Sequence, residues 1–488
     1  MSIAGEKSGA VQPEQDGPLY EARKQIYPQS IQGEFRKIKW TLLVITLGIY
    51  YFLPFVRWHR GPSEPTQAVL IDLDARRFYF FFIEIWPQEV YYLTGLLVIA
   101  ALALFLMNAI AGRIWCGYLC PQTVWTDLFM LVERFAEGDR RDRIRKDAQP
   151  LNLQTFSEKL LKHALWLLIA WWTGGAWVLY FADAPTLVYE LVTFQAPTIA
   201  YIWIGILTFT TYTLAGFMRE QVCVYMCPWP RIQAALTDEH ALNVTYRFDR
   251  GEPRGSLKKT KAARASGAPA GDCVDCGQCV AVCPTGVDIR KGLQMDCIQC
   301  GLCIDACDKV MTKIGRPIRL IGYDTDINVH RREAGLPEQP TRLIRPRTIV
   351  YIVMIGAIFG LMAFGLATRS TLGVAALHDR NPMYVQLSDG GVRNAYTVRF
   401  LNKRAEDRVI ALRVENLPNA RIEVAGSKTA AADGAPATAV GPDQTLELRV
   451  LISVPKEALV SGSQRIKLRA TDVKTGETAV ATDNFVAP

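Results

Sequence analysis

Eight cysteines form two closely spaced runs in the second half of the chain. The runs are Cys273-x2-Cys276-x2-Cys279-x3-Cys283-Pro284 and Cys297-x2-Cys300-x2-Cys303-x3-Cys307. This is the spacing of bacterial two-cluster ferredoxins, in which the fourth cysteine of each run binds the cluster of the other run. It therefore predicts that one [4Fe–4S] cluster is held by Cys273, Cys276, Cys279 and Cys307. The second cluster is predicted on Cys297, Cys300, Cys303 and Cys283.

Three details bear on this assignment. Gly277 and Gly301 are expected to remove side-chain bulk where the backbone passes close to sulfur. A zinc site built on the Cys-x2-Cys pairs is the alternative, but four zinc ligands would leave the second matching run unexplained. Asp308 stands where the ferredoxin motif has proline, which affects the turn after Cys307 and removes no ligand.

The other four cysteines form two shorter repeats, Cys116-x3-Cys120-Pro121 and Cys223-x3-Cys227-Pro228. A spacing of four residues places both thiols on one face of a helix, and the proline predicts that the helix ends or kinks there. Three interpretations are open. The pairs bind a soft metal such as Cu(I), cycle between dithiol and disulfide, or together hold a third iron–sulfur cluster. The structural alternative is four small buried apolar side chains.

Composition limits the class of protein that positions these cysteines. The chain has 488 residues, of which 50% are hydrophobic, and its net charge is +8. So many large apolar side chains exclude a disordered or collagen-like chain. The Lys and Arg residues gather beside apolar runs, which indicates membrane topology rather than nucleic-acid binding. Because all 12 cysteines are clustered, metal clusters in a reducing compartment are favoured over a disulfide framework.

Five uncharged runs are long enough to cross a membrane. They are Trp40–Val56, Val90–Gly112, Ala164–Ala182, Leu191–Met218 and Thr348–Thr368. The fourth is too long for one upright helix, so Pro197 is expected to mark where its span begins. The organisation predicted from these runs is a cytoplasmic N-terminal segment 1–39, four spans within 40–218, a cytoplasmic loop 219–347 and a fifth span 348–368.

Sidedness follows from the basic residues in the loops. The N-terminal segment, the loop that contains Arg140–Lys146 and the long loop 219–347 are rich in Lys and Arg, whereas the loop 183–198 has none. The positive-inside rule therefore places these basic loops in the cytoplasm and the C-terminus on the opposite face. No small-residue cleavage motif follows the first run, which predicts an uncleaved anchor.

The soluble parts differ in composition. Residues 251–271 are rich in Gly, Pro, Ser, Ala and Lys and are interpreted as a flexible linker. The cysteine runs predict a ferredoxin domain at about 262–315. Residues 383–488 contain alternating apolar runs separated by turn-rich stretches, which predicts a β-sandwich. This sandwich has neither cysteine nor a catalytic constellation, so it is interpreted as a binding or docking module.

The order of these features is similar to that of the FixG/CcoG/Rdx family of cytochrome c oxidase accessory proteins. The resemblance covers nearly the whole chain and is carried by five segments. They are Trp115–Pro121, Val222–Pro230, Cys283–Arg290, Cys297–Cys307 and Tyr384–Gly391. It implies a multi-pass protein of the bacterial inner membrane, with a cytoplasmic ferredoxin domain and a periplasmic immunoglobulin-like C-terminal domain.

The resemblance also implies a function. The protein would support assembly of a cbb3-type haem–copper oxidase and reduce Cu(II) to Cu(I) before copper insertion, with copper chaperones or oxidase assembly factors as partners. In that case Cys116, Cys120, Cys223 and Cys227 would be the catalytic, copper-binding residues. Two other functions are open: a general electron carrier between quinol and a periplasmic reductase, and a non-catalytic redox-sensing scaffold. The sequence does not name the electron donor.

Overall fold

The computed structural model describes residues 25–61, 64–404, 406–426, 431 and 434–488. The chain forms two compact units. The first comprises Met1–Leu47, Leu104–Gly174 and Gly205–Thr348, and the second comprises Gly48–Ala103, Gly175–Ile204 and Ile349–Pro488. Residues 1–24 of the predicted N-terminal segment lie outside the described residues.

The described residues form fifteen α-helices and several shorter helical segments. The α-helices are α1 Glu34–Phe52, α2 Tyr91–Ala111, α3 Ile114–Tyr118, α4 Pro121–Glu137, α5 Arg140–Ala148, α6 Leu153–Val178, α7 Ala184–Val192, α8 Thr198–Thr211, α9 Trp229–Leu236, α10 Phe248–Gly251, α11 Leu257–Ala265, α12 Gln278–Ala281, α13 Leu302–Lys313, α14 Asp326–Glu333 and α15 Pro346–Ala367. Two π-helical segments, Tyr212–Met218 and Val222–Met226, follow α8. The 3-10 segments are Leu53–Phe55, Pro87–Glu89, Ile289–Lys291 and Lys456–Ala458.

Four helices in the described part of the chain are long and apolar enough to cross a membrane. They are Glu34–Phe55, Tyr91–Ala111, Thr198–Met218 and Pro346–Ala367, and they overlap the first, second, fourth and fifth predicted runs. The fourth begins directly after Pro197, as expected, because proline suits the start of a helix. The third run falls mainly in α6, which contains four tryptophans and Lys162 and is not among these four helices.

The segment 251–271 is packed, so the prediction of a flexible linker is wrong. Ser256 caps α11, its side chain accepting a hydrogen bond from the backbone N–H of Lys259. Arg316 then donates to the backbone oxygen of Asp272 at 2.6 Å and to the hydroxyl of Thr260 at 3.0 Å. Because Arg316 lies far along the chain, composition alone gives no sign of this contact.

The strands form four antiparallel sheets. They are β1 Val69–Asp72, β2 Arg77–Phe80, β3 Ile83–Ile85, β4 Leu242–Tyr246, β5 Ile321–Thr325, β6 Leu372–His378, β7 Val385–Gln386, β8 Val392–Asn402, β9 Arg408–Glu415, β10 Arg421–Val424, β11 Ala437–Val440, β12 Gln444–Val454, β13 Gly462–Asp472 and β14 Thr478–Ala487. In the first unit β4 pairs with β5, with Leu242 opposite Thr325 and Tyr246 opposite Ile321. In the sequence, β4 precedes the cysteine runs and β5 follows them, so the ferredoxin region extends beyond the predicted 262–315 at both ends.

The C-terminal domain is a two-sheet sandwich. One sheet has the order β10-β12-β8-β6, with β7 paired to β8, and the other has the order β11-β9-β13-β14. Alternate side chains of β8, including Tyr396, Val398 and Phe400, are fully buried, which is the period that a half-buried strand requires. The prediction of a β-sandwich is confirmed, but β6 begins at Leu372, ahead of the predicted boundary at residue 383.

The loop 57–89 contains the sheet β1-β2-β3, which the sequence did not reveal. Arg77, at the start of β2, lies in a carboxylate cluster made of Glu64, Glu84 and Asp443. Its guanidinium is 3.3 Å from Glu84 and 3.8 Å from Glu64, it is paired with Asp443, and it stacks over the ring of Trp86. The carboxylate cluster therefore joins this loop to the sandwich within the second unit.

Candidate functional site

The two cysteine runs line two cavities of nearly equal size. One cavity, of about 340 Å³, is lined by Cys273, Cys276, Cys279 and Cys307. The other, of about 360 Å³, is lined by Cys283, Cys297, Cys300 and Cys303, with Cys279 also on its wall. In both cases three cysteines of one run meet the fourth cysteine of the other, which is the grouping that the ferredoxin spacing predicts. We call them the first and the second cysteine cavity.

The two runs follow the same local path. Gly277 and Gly301 adopt left-handed conformations, with φ of 65° and 73°, and each precedes a helix that carries the next cysteine. A Cβ on Gly277 would meet no atom within 4 Å. The left-handed conformation by itself favours glycine, and because Gly277 and Gly301 each line a cysteine cavity, their role in the close approach of the backbone to sulfur stays a prediction. At the Asp308 position, the side chain accepts a hydrogen bond of 2.6 Å from the backbone N–H of Arg319.

The donor set suits a multi-iron cluster better than a single metal ion. Zinc–sulfur bonds of 2.3 Å would bring cysteine sulfurs within about 3.8 Å of one another. Among the described residues, all twelve cysteines included, no three cysteine sulfurs lie mutually within 4.8 Å. A cubane places an iron between each sulfur and the centre, so its cysteines stand farther apart.

Burial governs the protonation of these thiols. Desolvation raises the pKa of Cys279 to about 11, and it raises the pKa values of Cys297 and Cys307 to about 12. A thiol with such a pKa stays protonated at neutral pH, but binding to iron deprotonates it. Without a metal these cysteines are therefore thiols, and they give up their protons as iron binds.

The first of the two shorter cysteine repeats begins on the short helix α3. Cys116 is buried, with its sulfur 3.3 Å from Oε1 of Gln233. Cys120 precedes α4 in an extended conformation, with ψ of 127°, and Pro121 is the first residue of that helix. The helix therefore stops before the proline, as the sequence predicted. The prediction that both thiols share one helical face is wrong, because Cys120 lies outside α3 in extended backbone.

The second repeat has the same backbone at its last cysteine. Cys223 lies in the π-helical segment Val222–Met226, and Cys227 is extended, with ψ of 122°. The four thiols converge. The pKa of Cys116 is raised to about 12, chiefly by burial and in addition by the neighbouring thiols of Cys120, Cys223 and Cys227. The four cysteines thus form one sulfur-rich site.

This sulfur-rich site is packed directly on the second cysteine cavity. Tyr118, inside the first repeat, donates a hydrogen bond of 3.0 Å to the backbone oxygen of Cys300. Cys116 belongs to the same buried apolar cluster as Ile298 and Cys300. A Cβ on Gly117 would approach the Cys300 backbone at 3.1 Å and the Ile298 oxygen at 2.7 Å, so only glycine allows this contact. The sequence could have suggested it, since Gly117 stands where the second repeat has Val224.

An ion triad beside both sites was missed by the sequence analysis. Asp127 accepts contacts from Lys39 at 3.0 Å and from Arg36 at 3.2 Å, and all three side chains are at least nine-tenths buried. Burial raises the pKa values of Cys300 and Cys223, and the Lys39 ammonium opposes that effect at both. Lys39 and Arg36 are therefore part of the interior of the first unit, in addition to any part in membrane topology.

Comparison with known proteins matches three stretches of the chain to protein families. Residues 218–326 match the 4Fe-4S dicluster domain, and residues 93–136, which contain Cys116 and Cys120, match a 4Fe-4S binding domain. Residues 362–488 match the IG-like fold at the C-terminus of FixG. These matches agree with the ferredoxin-like cavities and with the sandwich.

Whole-chain similarity decides the family. The chain is 50% identical to the nitrogen fixation protein FixG of Rhizobium meliloti, over 97% of this chain and 94% of that protein. The chain belongs to the FixG/Rdx family. Within that family it is also 48% identical to protein RdxB of Cereibacter sphaeroides, over 93% of this chain and 94% of that one. Protein RdxA of the same organism is 51% identical over 84% of this chain and 86% of its own length. This FixG/Rdx protein is an iron–sulfur redox protein whose four apolar helices indicate a membrane location.

Proposed function

We propose that this FixG/Rdx protein transfers electrons in the bacterial inner membrane and supports assembly of a cbb3-type cytochrome c oxidase by reducing Cu(II) to Cu(I). Copper ions, with copper chaperones or oxidase assembly factors, are its proposed partners. The observation that carries the proposal is the packing of Gly117 and Tyr118 on the backbone of Ile298 and Cys300. It places a site rich in sulfur, which Cu(I) prefers, against a cavity suited to an electron-carrying cluster.

In this proposal Cys273, Cys276, Cys279 and Cys307 hold one [4Fe–4S] cluster, and Cys283, Cys297, Cys300 and Cys303 hold the other. The lining of the two cysteine cavities supports this grouping. Each cluster, when bound, supplies a site that accepts and releases one electron. Buried apolar side chains such as Ile289, Ile304 and Leu320 shield the cysteines of the first cysteine cavity from water, except for the exposed Cys276.

The sulfur-rich site is the proposed place of copper reduction. Cys116, Cys120, Cys223 and Cys227 are four candidate soft ligands, and thiolates stabilise Cu(I) relative to Cu(II). Because no three of their sulfurs lie mutually within 4.8 Å, a copper ion would bind two of them at a time. Copper is the substrate in this reaction: each Cu(II) takes up one electron and becomes Cu(I). Burial disfavours free thiolates here, so copper has to displace the thiol protons as it binds.

Cu(II) reduction by the purified, cluster-loaded protein tests this role. We expect the double variant Cys116→Ala/Cys120→Ala to lose Cu(II) reduction while the spectra of both [4Fe–4S] clusters persist. Tyr225→Phe is a matched control, because Tyr225 lies in the second repeat but its side chain is 72% exposed. Full Cu(II) reduction by the double cysteine variant would contradict the proposal.

A third iron–sulfur cluster on the same four cysteines is the second candidate. It is favoured by the match of residues 93–136 to a 4Fe-4S binding domain. Iron analysis separates the two, since two cubanes give about eight irons per chain and three give about twelve. About twelve irons per chain, falling to about eight in the double variant, would assign the sulfur-rich site to a third cluster. The protein would then be an electron carrier with three clusters.

The proposed topology has five spans, the third within α6, with the cysteine cavities in the cytoplasm and the sandwich in the periplasm. The basic loops support it. Periplasmic reporters fused after residue 380 should be active, and those fused after residue 260 should be inactive. The opposite pattern would place the cysteines in an oxidising compartment and contradict the assignment.

A further inference from the structure

A cavity of about 610 Å³ lies where the apolar helix Thr198–Met218 ends and where α6 enters its apolar run. Its wall combines aromatic, basic and acidic side chains. The lining residues are Gln25, Ile26, Glu133, Lys162, His163, Trp166, Gly216, Phe217, Arg219 and Glu220. We call it the aromatic cavity. It belongs entirely to the first unit, and none of the functions proposed above uses it.

The aromatic cavity offers one hydrogen-bonding imidazole among stacked rings. The ring of His163 stacks on Phe217 with centroids 5.9 Å apart and meets Trp166 edge-on at 5.2 Å. Nδ1 of His163 is 2.9 Å from the hydroxyl of Tyr212. When Nδ1 donates to that hydroxyl, Nε2 is an acceptor. This combination suits a flat ring that carries hydroxyl groups.

The aromatic cavity shares a wall with the sulfur-rich site. Arg219 and Glu220 line it, and they also line a smaller cavity of about 300 Å³ that reaches Cys223, Lys39 and Thr285. Thr285 in turn lies 3.4 Å from the sulfur of Cys283, a lining residue of the second cysteine cavity. A bound ring would therefore be separated from redox-active sulfur by a single layer of side chains.

The backbone at this shared wall is unusual. Arg219 has a positive φ of 43° and stands between the two π-helical segments. Its guanidinium pairs with Glu133, and its Nε donates to the oxygen of Gly216 at 2.9 Å. Both π-helical segments and non-glycine residues with positive φ concentrate at functional sites. These features stand on the path between the aromatic cavity and Cys223.

We propose that the aromatic cavity binds a membrane hydroquinone, which is the electron donor of this protein. The inference rests on the proposed electron-transfer function and names its donor class. The ring would lie in the aromatic cavity against Trp166 and Phe217, whose own rings meet edge-on at 6.2 Å, and because Phe217 is 44% exposed, an apolar tail can leave across it towards lipid. A dinucleotide donor would need a Gly-rich phosphate loop, which the sequence lacks.

Oxidation of the hydroquinone releases two electrons and two protons. Both O–H bonds of the hydroquinone break, giving a quinone, two protons and two electrons. One proton is bound by Nε2 of His163 and the other by a carboxylate oxygen of Glu220. The two [4Fe–4S] clusters, when bound, would supply sites for these two electrons, one electron each, which balances the reduction of two Cu(II) ions to two Cu(I) ions. The buried Lys39 ammonium favours this transfer, because positive charge near Cys300 stabilises the additional electron.

Equilibrium binding of decylubiquinone to the purified, cluster-loaded protein tests the site directly. We expect His163→Gln to weaken binding at least tenfold, and Tyr212→Phe to weaken it less, because the imidazole remains. His330→Gln is the matched control, since His330 is highly exposed on α14 and should bind as wild type does. Equal binding by all of these proteins would overturn the proposal. So would displacement of decylubiquinone by phosphatidylglycerol vesicles, which would assign the cavity to a lipid headgroup.

A second measurement keeps the donor site distinct from the copper proposal. Decylubiquinol should reduce the clusters of wild type and of His330→Gln, but at least tenfold more slowly in His163→Gln, while dithionite reduces all three fully. If dithionite reduces the clusters of wild type but decylubiquinol does not, the proposal of a hydroquinone donor site is overturned. If dithionite-reduced wild type fails to reduce Cu(II), the copper proposal fails and the donor site stands.

Discussion

The ion triad and the carboxylate cluster, one in each unit, have opposite excess charge. Around Asp127, the cations Arg36 and Lys39 face one carboxylate. Around Arg77, one cation faces three carboxylates. Burying a charge costs free energy unless an opposite charge compensates it. The excess positive charge of the ion triad and the excess negative charge of the carboxylate cluster therefore each need a further compensating group or a proton.

The two clusters meet that need differently. The excess cation of the ion triad lies beside Cys300 and Cys223, where a bound cluster or metal thiolate brings negative charge. The excess anion of the carboxylate cluster is met by proton uptake, because burial and Glu64 raise the pKa of Glu84 to about 7. In the proposed function, the charge balance of the ion triad would therefore depend on the redox centre bound beside it. The charge balance of the carboxylate cluster depends on pH.

Removing the single carboxylate of the ion triad should have the largest effect. Asp127→Asn leaves two buried cations without a counter-ion, and we expect it to cost about 3–5 kcal/mol of unfolding free energy. Asp142→Asn is the control, because its pair with Arg145 is at the surface, with side chains 50% and 66% exposed, and should cost less than about 1 kcal/mol. Unfolding in detergent, followed by tryptophan fluorescence, measures both. Equal losses of unfolding free energy in the two variants would contradict the burial of the ion triad.

Removing the single cation of the carboxylate cluster should cost less, because its carboxylates can bind protons. We expect Arg77→Met to destabilise the second unit by about 1–3 kcal/mol at pH 8 and by less at pH 5. Thermal unfolding at the two pH values measures this. A loss that is the same at both values would show that packing against Trp86, rather than charge, is what Arg77 supplies.

The charge of Lys39 should also affect reduction potential. Lys39→Gln removes a positive charge near Cys300, so we expect the potential of the cluster in the second cysteine cavity to fall by roughly 60 mV, about tenfold in its one-electron equilibrium. Lys37→Gln is the matched control, because Lys37 is exposed on the same helix. A redox titration followed by electron paramagnetic resonance measures the shift. If both variants titrate alike, Lys39 acts only in folding.

The smallest expected effect is the pH dependence of the carboxylate cluster in the wild type. Because the folded-state pKa of Glu84 is raised, the folded protein holds this proton more tightly than the unfolded chain does. This contribution to stability is complete below the unfolded pKa of about 4.3 and is lost as the pH rises towards about 7. Glu84→Gln should flatten that part of the stability–pH curve. An unchanged slope would mean that another group takes up the proton.

How much the sequence predicts depends on whether a feature is local. The cysteine spacing is local and predicted the grouping that lines the two cysteine cavities, and Pro197 predicted where the helix Thr198–Met218 begins. The burial of Lys39 was not predictable, because a basic residue before an apolar run has the same pattern whether it meets lipid headgroups or Asp127. Strand β6 was missed because its sequence, Leu-Gly-Val-Ala-Ala-Leu-His, lacks the polar alternation of a half-buried strand.

The wrong prediction of a linker has the same cause. Residues 251–271 have the composition of a flexible tether, but the contacts that order them come from Arg316, which is distant in sequence. The aromatic cavity also escaped prediction. His163, Tyr212 and Phe217 lie on two different elements and share no spacing that a motif would reveal.

The packed helix α11 has a kinetic consequence. A redox domain on a loose tether delivers electrons only when it collides with its partner, so its rate falls with solvent viscosity and with tether length. Here Arg316 and the Ser256 cap hold the segment, and Tyr118 holds the sulfur-rich site on Cys300, which fixes the separation of the two centres. In the proposed function, electron transfer between them would be a tunnelling step over a fixed distance, so we expect higher solvent viscosity to slow only the arrival and departure of small molecules.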